Sequence, residues 1–123
     1  MASVTVTDEL VDIRFTGWER IWTGRERLAV PVDGVRHAVL VADPLRLARG
    51  GRRGVVVSGY LKIGVWGLFG GPRQLVAARR GEPGLHLVLD QAATGGRFDE
   101  VVLSDPAAPR VADAIARAMA ARA

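Results

Sequence analysis

The sequence predicts a mainly β fold that ends in one long amphipathic helix. Apolar and polar residues alternate over most of the chain, turn residues separate short apolar runs, and a sustained helical period appears only after residue 105. About seven short antiparallel strands in two bent sheets would form an open barrel or sandwich, with the helix over an open end. The length of 123 residues predicts a single domain over 1–123.

Short apolar runs bounded by Gly, Pro and Asp define the strands in order. Outside the apolar segment 55–71, strands are predicted at 4–6, 11–15, 27–30, 35–42, 74–79, 85–89 and 98–103. Glu82-Pro83-Gly84 predicts a tight hairpin between 74–79 and 85–89. The glycine-bracketed segment 50–54 is predicted as an exposed basic loop.

Two helices are predicted from a change of period. Thr16-Gly17-Trp18-Glu19 has the form of a capping box, and Trp18, Ile21 and Trp22 then follow at i, i+3 and i+4. We expect that face to pack into the core, with a ligand-stacking tryptophan pair as the alternative.

The terminal helix is predicted to start with Asp105 as N-cap and Pro106 in the first helical position. Val111, Ile115 and Met119 fall on one stripe of this helix. We expect that stripe to pack along a sheet.

Residues 55–71 carry a single charge, Lys62, and seventeen such residues could be read as a membrane span. A central lysine and five glycines argue against that interpretation. The alternation instead predicts a strand or hairpin that presents Tyr60, Lys62 and Trp66 on one face. Aromatic rings beside a cation suit a binding surface, and the alternative is that another element covers them.

Positive charge is concentrated in the middle of the chain. Residues 44–81 contain eight basic and no acidic side chains, whereas the segments on either side each carry a net charge of −2. Such a block predicts an anionic partner, unless carboxylates from the flanking segments neutralise it in the folded protein. With the aromatic face it defines a candidate partner surface made of Arg49, Arg52, Arg53, Tyr60, Lys62, Trp66 and Arg73.

The sequence contains no pattern that points to catalysis or to a cofactor. It has no cysteine, which excludes disulfides, thiolate catalysis and cysteine-ligated metals in this chain. Its glycines form no dinucleotide fingerprint, and its one lysine is not in a phosphate-binding loop. His37 and His86 lie in separate predicted strands, so we expect ordinary strand residues and neither a metal site nor an enzyme.

Five stretches of the chain carry a family resemblance. They are Arg14-Phe-Thr-Gly-Trp-Glu-Arg-Ile-Trp, Leu28-Ala-Val-Pro-Val, Val57-Ser-Gly-Tyr-Leu-Lys-Ile-Gly, Leu75-Val-Ala-Ala-Arg-Arg-Gly and Val101-Val-Leu-Ser-Asp-Pro. The chain resembles the pleckstrin-homology-like domain, and is similar to small single-domain bacterial proteins of that superfamily. This resemblance implies a non-catalytic scaffold that binds peptides, proteins or anionic lipid headgroups. The third stretch lacks both prolines and the threonine of the Pro-Gly-Thr-x-x-Pro-Gly pattern that relatives often show, and no binding residue is carried over.

The predicted function is therefore that of a small non-catalytic binding module for a protein or peptide. The alternative is an anionic membrane surface or lipid headgroup, bound through the basic region 46–80. Nucleic acid is a weaker alternative, because sixteen arginines against one lysine also fit a GC-rich genome. The sequence also leaves open whether the protein forms a homo-oligomer. The first nine residues lack the basic and apolar blocks of a secretory signal, so we expect a cytoplasmic protein.

Overall fold

A computed structural model describes residues 2–48, 50–57 and 59–122. Strand accounts for 42% and helix for 28%, which confirms the predicted mainly β class with a C-terminal helix. The described strands number nine, in two sheets that are not closed into a barrel. The strands are β1 (Ser3–Val6), β2 (Leu10–Arg14), β3 (Arg27–Pro31), β4 (Val35–Val41), β5 (Arg52–Val57), β6 (Leu61–Trp66), β7 (Gln74–Arg79), β8 (Gly84–Leu89) and β9 (Glu100–Ser104). The helices are α1 (Gly17–Thr23) and α2 (Ala108–Arg122), with short 3-10 helices at Val32–Gly34, Pro44–Leu47 and Gln91–Thr94.

The smaller sheet holds β1, β2 and β3 in an antiparallel meander. Val11 and Ile13 of β2 are fully buried, whereas Asp12 between them points to the opposite face. There the Arg27 guanidinium donates a hydrogen bond to the Asp12 carboxylate at 2.6 Å and lowers the pKa of that group. The alternation in the sequence therefore places one face of this sheet on the core.

The larger sheet has the strand order β4-β8-β9-β7-β6-β5, and its β7–β9 pair is parallel. The predicted hairpin between 74–79 and 85–89 is wrong, because β9 lies between these two strands. The turn residues do reverse the chain, but the reversal spans two inter-strand spacings, about 10 Å. Ser104 at the end of β9 fills the gap, since its Oγ accepts from the Arg79 N–H at 2.7 Å and donates to the Arg79 carbonyl.

One apolar core joins the two sheets and α2. Ile13 of the smaller sheet, Leu75 and Leu87 of the larger sheet and Ile115 of α2 belong to the same buried cluster. The helix lies against β4, β1 and β8. Val111 and Ile115 are buried as predicted, while Met119, on the same stripe, is half-buried and packs against the cluster.

The first turn of α2 begins at Ala108, later than predicted. Asp105 closes a turn before the helix: its Oδ1 accepts from the Ala107 N–H at 2.8 Å, and its carbonyl accepts from the Ala108 N–H at 2.9 Å. At the other end, Arg122 donates to both carboxylate oxygens of Asp33, at 2.6 and 2.5 Å. The helix is thus fixed to the 3-10 helix that precedes β4.

The opposite face of the larger sheet carries a second, smaller apolar cluster. Trp66, Val76 and Val102 pack there against Ala48. The 3-10 helix at Pro44–Leu47 contributes Leu45 and Leu47 to the same cluster. Both faces of the central strands are therefore covered.

None of the helices that the structure describes has the length and apolar character needed to cross a bilayer. The apolar segment 55–71 instead contributes the end of β5, all of β6 and the start of the following loop. This agrees with the strand interpretation of its alternation.

Replacing Ile115 by alanine should lower the free energy of unfolding by about 3 kcal/mol, because a fully buried side chain is lost and leaves a cavity. Met119→Ala removes a half-buried side chain from the same helix and should cost at most about half as much. Urea denaturation followed by circular dichroism compares the two. Equal losses would contradict the described burial of α2.

Candidate functional site

The predicted partner surface does not form one patch. Arg49 lies outside the described residues. The other six divide into three groups: Arg52, Arg53 and Arg73 at one end of the β5–β6 hairpin, Tyr60 and Lys62 at the other end, and Trp66 in the interior. The hairpin register pairs Arg52 with Trp66 and Val57 with Leu61, so the two ends are about 16 Å apart.

The predicted exposed loop at 50–54 is wrong in its second half, because β5 begins at Arg52. The cause lies in the opposite strand, where Gly64 faces Gly54. A Cβ on Gly64 would lie 2.4 Å from the Arg53 carbonyl oxygen, and its φ of +142° suits glycine. Two facing glycines let the backbones approach closely, which extends the hairpin to the arginines. Adjacent strand residues point to opposite faces, so Arg52 and Arg53, both exposed, do not share a face.

The predicted Tyr60–Lys62–Trp66 face is covered at Lys62 and Trp66 but not at Tyr60. Trp66 is 3% exposed and belongs to the second apolar cluster. The Lys62 ammonium donates a 2.8 Å hydrogen bond to the Leu45 carbonyl and is half-buried. Tyr60 lies in the turn before β6 and stays 61% exposed. The three side chains therefore do not form one aromatic and cationic surface. The alternative, that another element covers them, holds for Lys62 and Trp66, over which the 3-10 helix at Pro44–Leu47 packs.

Helix α1 has the opposite orientation from the one predicted. Trp18 is 70% exposed and Ile21 is 63% exposed, whereas Glu19 and Thr23 are buried. The Thr23 hydroxyl donates to the Glu19 carbonyl at 2.6 Å, so part of the buried polar face is satisfied within the helix. The predicted core position of Trp18 is wrong, and Trp22 is only half-buried.

A groove lies between α1 and the face of the larger sheet that also carries the main core. Its volume is about 340 Å³, and we refer to it as the α1 groove. Its lining comprises Trp18, Trp22, Val55, Tyr60, Leu61, Ile63 and Arg79. Among the described residues, Arg79 is the single charged side chain of this lining, so the groove offers apolar walls and one cation.

A second cavity of about 310 Å³ adjoins the first, since Leu61 lines both. It lies on the other side of the β5–β6 turn and has cationic walls formed by Arg46, Lys62 and Arg80. Asp43 also lines it and pairs with Arg46 at 3.0 Å. The net charge around the two cavities is therefore positive.

Neither histidine lines the α1 groove or the adjoining cavity. His86 forms a 2.9 Å contact with Glu100 Oε1, and the Gln74 amide donates to the same oxygen at 3.0 Å. These groups lie on the face of the sheet that holds the second apolar cluster, where the Gln74 amide also donates to the Leu47 carbonyl at 2.6 Å. His37 is exposed on β4. Within 2–48, 50–57 and 59–122, no three metal-ligand side chains gather into one group.

Comparison with protein-family models, with curated proteins and with solved structures finds no significant match to this chain. The resemblance to the pleckstrin-homology-like domain stays a prediction.

The sequence predicts the face of α1 that carries the tryptophans but places it in the core, and Arg79 is not among the predicted site residues. The available signal was the same i, i+3, i+4 stripe at Trp18, Ile21 and Trp22. A stripe shows which residues share a face but not what covers that face. The covering depends on β5 and β6, which are more than 30 residues away in the sequence.

The three tryptophans should differ sharply in their effect on stability. Trp66→Ala should lower the free energy of unfolding by about 3–5 kcal/mol, because the ring is buried. Trp18→Ala should change it by no more than about 0.5 kcal/mol, because most of the ring faces solvent. Urea denaturation followed by circular dichroism measures both, and a large loss for Trp18→Ala would place that ring in the core.

Proposed function

We propose that the protein is a non-catalytic binding module whose α1 groove takes an extended protein segment with apolar and acidic side chains. The observation that most supports this proposal is the orientation of α1, which exposes Trp18 and Ile21 and buries Glu19 and Thr23. Exposing these apolar side chains loses the free energy that their burial would supply. A contiguous exposed apolar surface with polar neighbours is typical of an interaction site.

The shape of the groove favours a segment of polypeptide. Its volume of about 340 Å³ falls in the range of ligand-binding clefts, and two tryptophans and a tyrosine supply rigid contact area. Tyr and Trp are enriched where binding energy is concentrated at protein interfaces. Within the described sheet, β5 is an edge strand that pairs with β6 alone, so an extended segment beside it would find backbone partners.

The charge around the groove favours acidic side chains in the partner. Arg79 lines the groove itself, and Arg46, Lys62 and Arg80 line the adjoining cavity. A carboxylate near Arg79 would gain a charge-assisted hydrogen bond next to apolar walls. Carboxylates also steer association toward a positive surface, which makes the rate of binding depend on salt.

The non-catalytic part of the proposal rests on what surrounds the titratable groups. The His86–Glu100 contact is completed by Gln74, an amide that is neither a nucleophile nor an acid. Its environment is the covered face of the larger sheet, away from the α1 groove. No cofactor forms part of the proposal, and cytoplasmic localisation stays a prediction.

Selection from a phage-displayed library of random peptides of about twelve residues tests the proposal. We expect enrichment of sequences that combine aromatic or aliphatic residues with Asp or Glu. A synthetic copy of an enriched peptide should bind the wild type in calorimetry. Trp18→Ser should weaken binding by about thirtyfold, because loss of an aromatic anchor costs about 2 kcal/mol.

Phe69→Ser is the matched control, since it removes an exposed aromatic ring at the far end of the hairpin and should leave peptide affinity unchanged. An unselective library, or peptides that bind Trp18→Ser as tightly as the wild type, would contradict the proposal. Sedimentation velocity on the wild type and both variants measures self-association. A wild-type dimer that Trp18→Ser dissociates would show that a second copy, rather than a separate partner, occupies the groove.

A further inference from the structure

The loop between β6 and β7 presents an apolar tip that the α1 groove does not involve. Phe69 is 91% exposed, more than any other large apolar side chain in the described part of the chain. It lies at the end of the hairpin opposite to Tyr60, and it lines neither the α1 groove nor the adjoining cationic cavity.

The loop that carries Phe69 is joined to the start of β5, and the ring lies beside Gly51. The Leu68 N–H donates to the Gly51 carbonyl at 3.1 Å, which ties the loop to the residue before β5. The ring lies over Gly51 so closely that a Cβ there would be 2.2 Å from Phe69 Cδ2. Gly51 therefore leaves room for the ring beside the backbone, while the backbone hydrogen bond of Leu68 joins the loop to β5 and the ring itself stays open to solvent.

Three arginines surround this end of the hairpin. Arg52 and Arg53 begin β5 and Arg73 precedes β7, and all three are exposed. Asp99 is also near, and its Oδ2 accepts hydrogen bonds from the Arg73 backbone N–H at 2.9 Å and from the Gln91 amide at 3.4 Å. The next carboxylate along the chain, Glu100, is buried and hydrogen-bonded to Gln74. Three exposed guanidinium groups therefore lie near the one partly exposed carboxylate of Asp99, which leaves this end positively charged.

We propose that this end of the hairpin contacts an anionic lipid bilayer, with Phe69 inserted at the interface and Arg52, Arg53 and Arg73 at the headgroups. A protruding apolar side chain needs a pocket in a protein partner, but a bilayer interface deforms around it. Aromatic residues beside cations have the composition of interfacial membrane anchors. Arginines near a negatively charged leaflet add attraction that falls off within a Debye length.

Co-sedimentation with vesicles tests this contact. The probes are vesicles of phosphatidylcholine with about three-tenths phosphatidylserine, and vesicles of phosphatidylcholine alone. We expect the wild type to bind the anionic vesicles at low salt and to be released as salt rises. Phe69→Ser should reduce the partition coefficient about tenfold, since the apolar anchor is lost. The double variant Arg52→Gln, Arg73→Gln should reduce the partition coefficient about 25-fold, a factor of about five for each arginine.

Two matched controls separate this site from the rest of the surface. Trp18→Ser removes the exposed ring of α1, and the double variant Arg46→Gln, Arg80→Gln removes two cations from the opposite end of the hairpin. Both should bind anionic vesicles within about twofold of the wild type, because their side chains lie far from the tip. Peptide binding in the α1 groove is an independent measurement, so either proposal can fail alone.

Three outcomes would overturn the inference. The first is a wild type that fails to sediment with anionic vesicles at low salt. The second is equal binding to neutral vesicles, and the third is a loss of binding in the control variants as large as that of Phe69→Ser. Circular dichroism spectra and urea midpoints equal to those of the wild type would confirm that each variant is folded.

Discussion

The insertion of β9 between β7 and β8 is the constraint on which the rest of the structure depends. It brings together strands that are distant in sequence and leaves β9 buried along its whole length. Because β9 includes Glu100, burial there requires hydrogen-bonding partners, which His86 and Gln74 supply from the two neighbouring strands. Gln74 is the register partner of Glu100, and His86 lies diagonally across from Glu100, so this polar cluster joins three neighbouring strands. The smaller sheet and α2 then cover one face, and residues 44–48 cover the other.

The functional surface follows from where this covering ends. The smaller sheet and α2 protect the β4 side of the larger sheet, whereas β5 and β6 extend beyond them. On the face that carries the main core, α1 lies against β5 and β6, and its seven residues leave room for a groove. Because Glu19 and Thr23 take the inner positions, the tryptophans are left at the rim. Because α1 packs on the protein through its polar side, its apolar side is exposed and available to another molecule.

The β5–β6 hairpin separates two surfaces of different chemistry. At its turn, Tyr60 and Arg79 join the tryptophans of α1 around a concave apolar groove. At its base, Phe69 stands at a convex tip among arginines. A concave site binds a side chain that fits it, while a protruding side chain suits a deformable surface such as a bilayer interface. The basic block of the sequence is therefore shared between two ends about 16 Å apart.

The sequence by itself determined the local structure and the composition of the surfaces. Alternation placed Val11 and Ile13 on one face of a strand, the helical period located α1 and α2, and charge counting found the basic block, because each depends on neighbours in the chain. Tertiary structure alone decided that β9 separates β7 from β8, that residues 44–48 cover Lys62 and Trp66, and which side of α1 faces solvent. These outcomes depend on contacts between residues far apart in sequence, and a periodic pattern shows which side chains share a face but not which element will cover it.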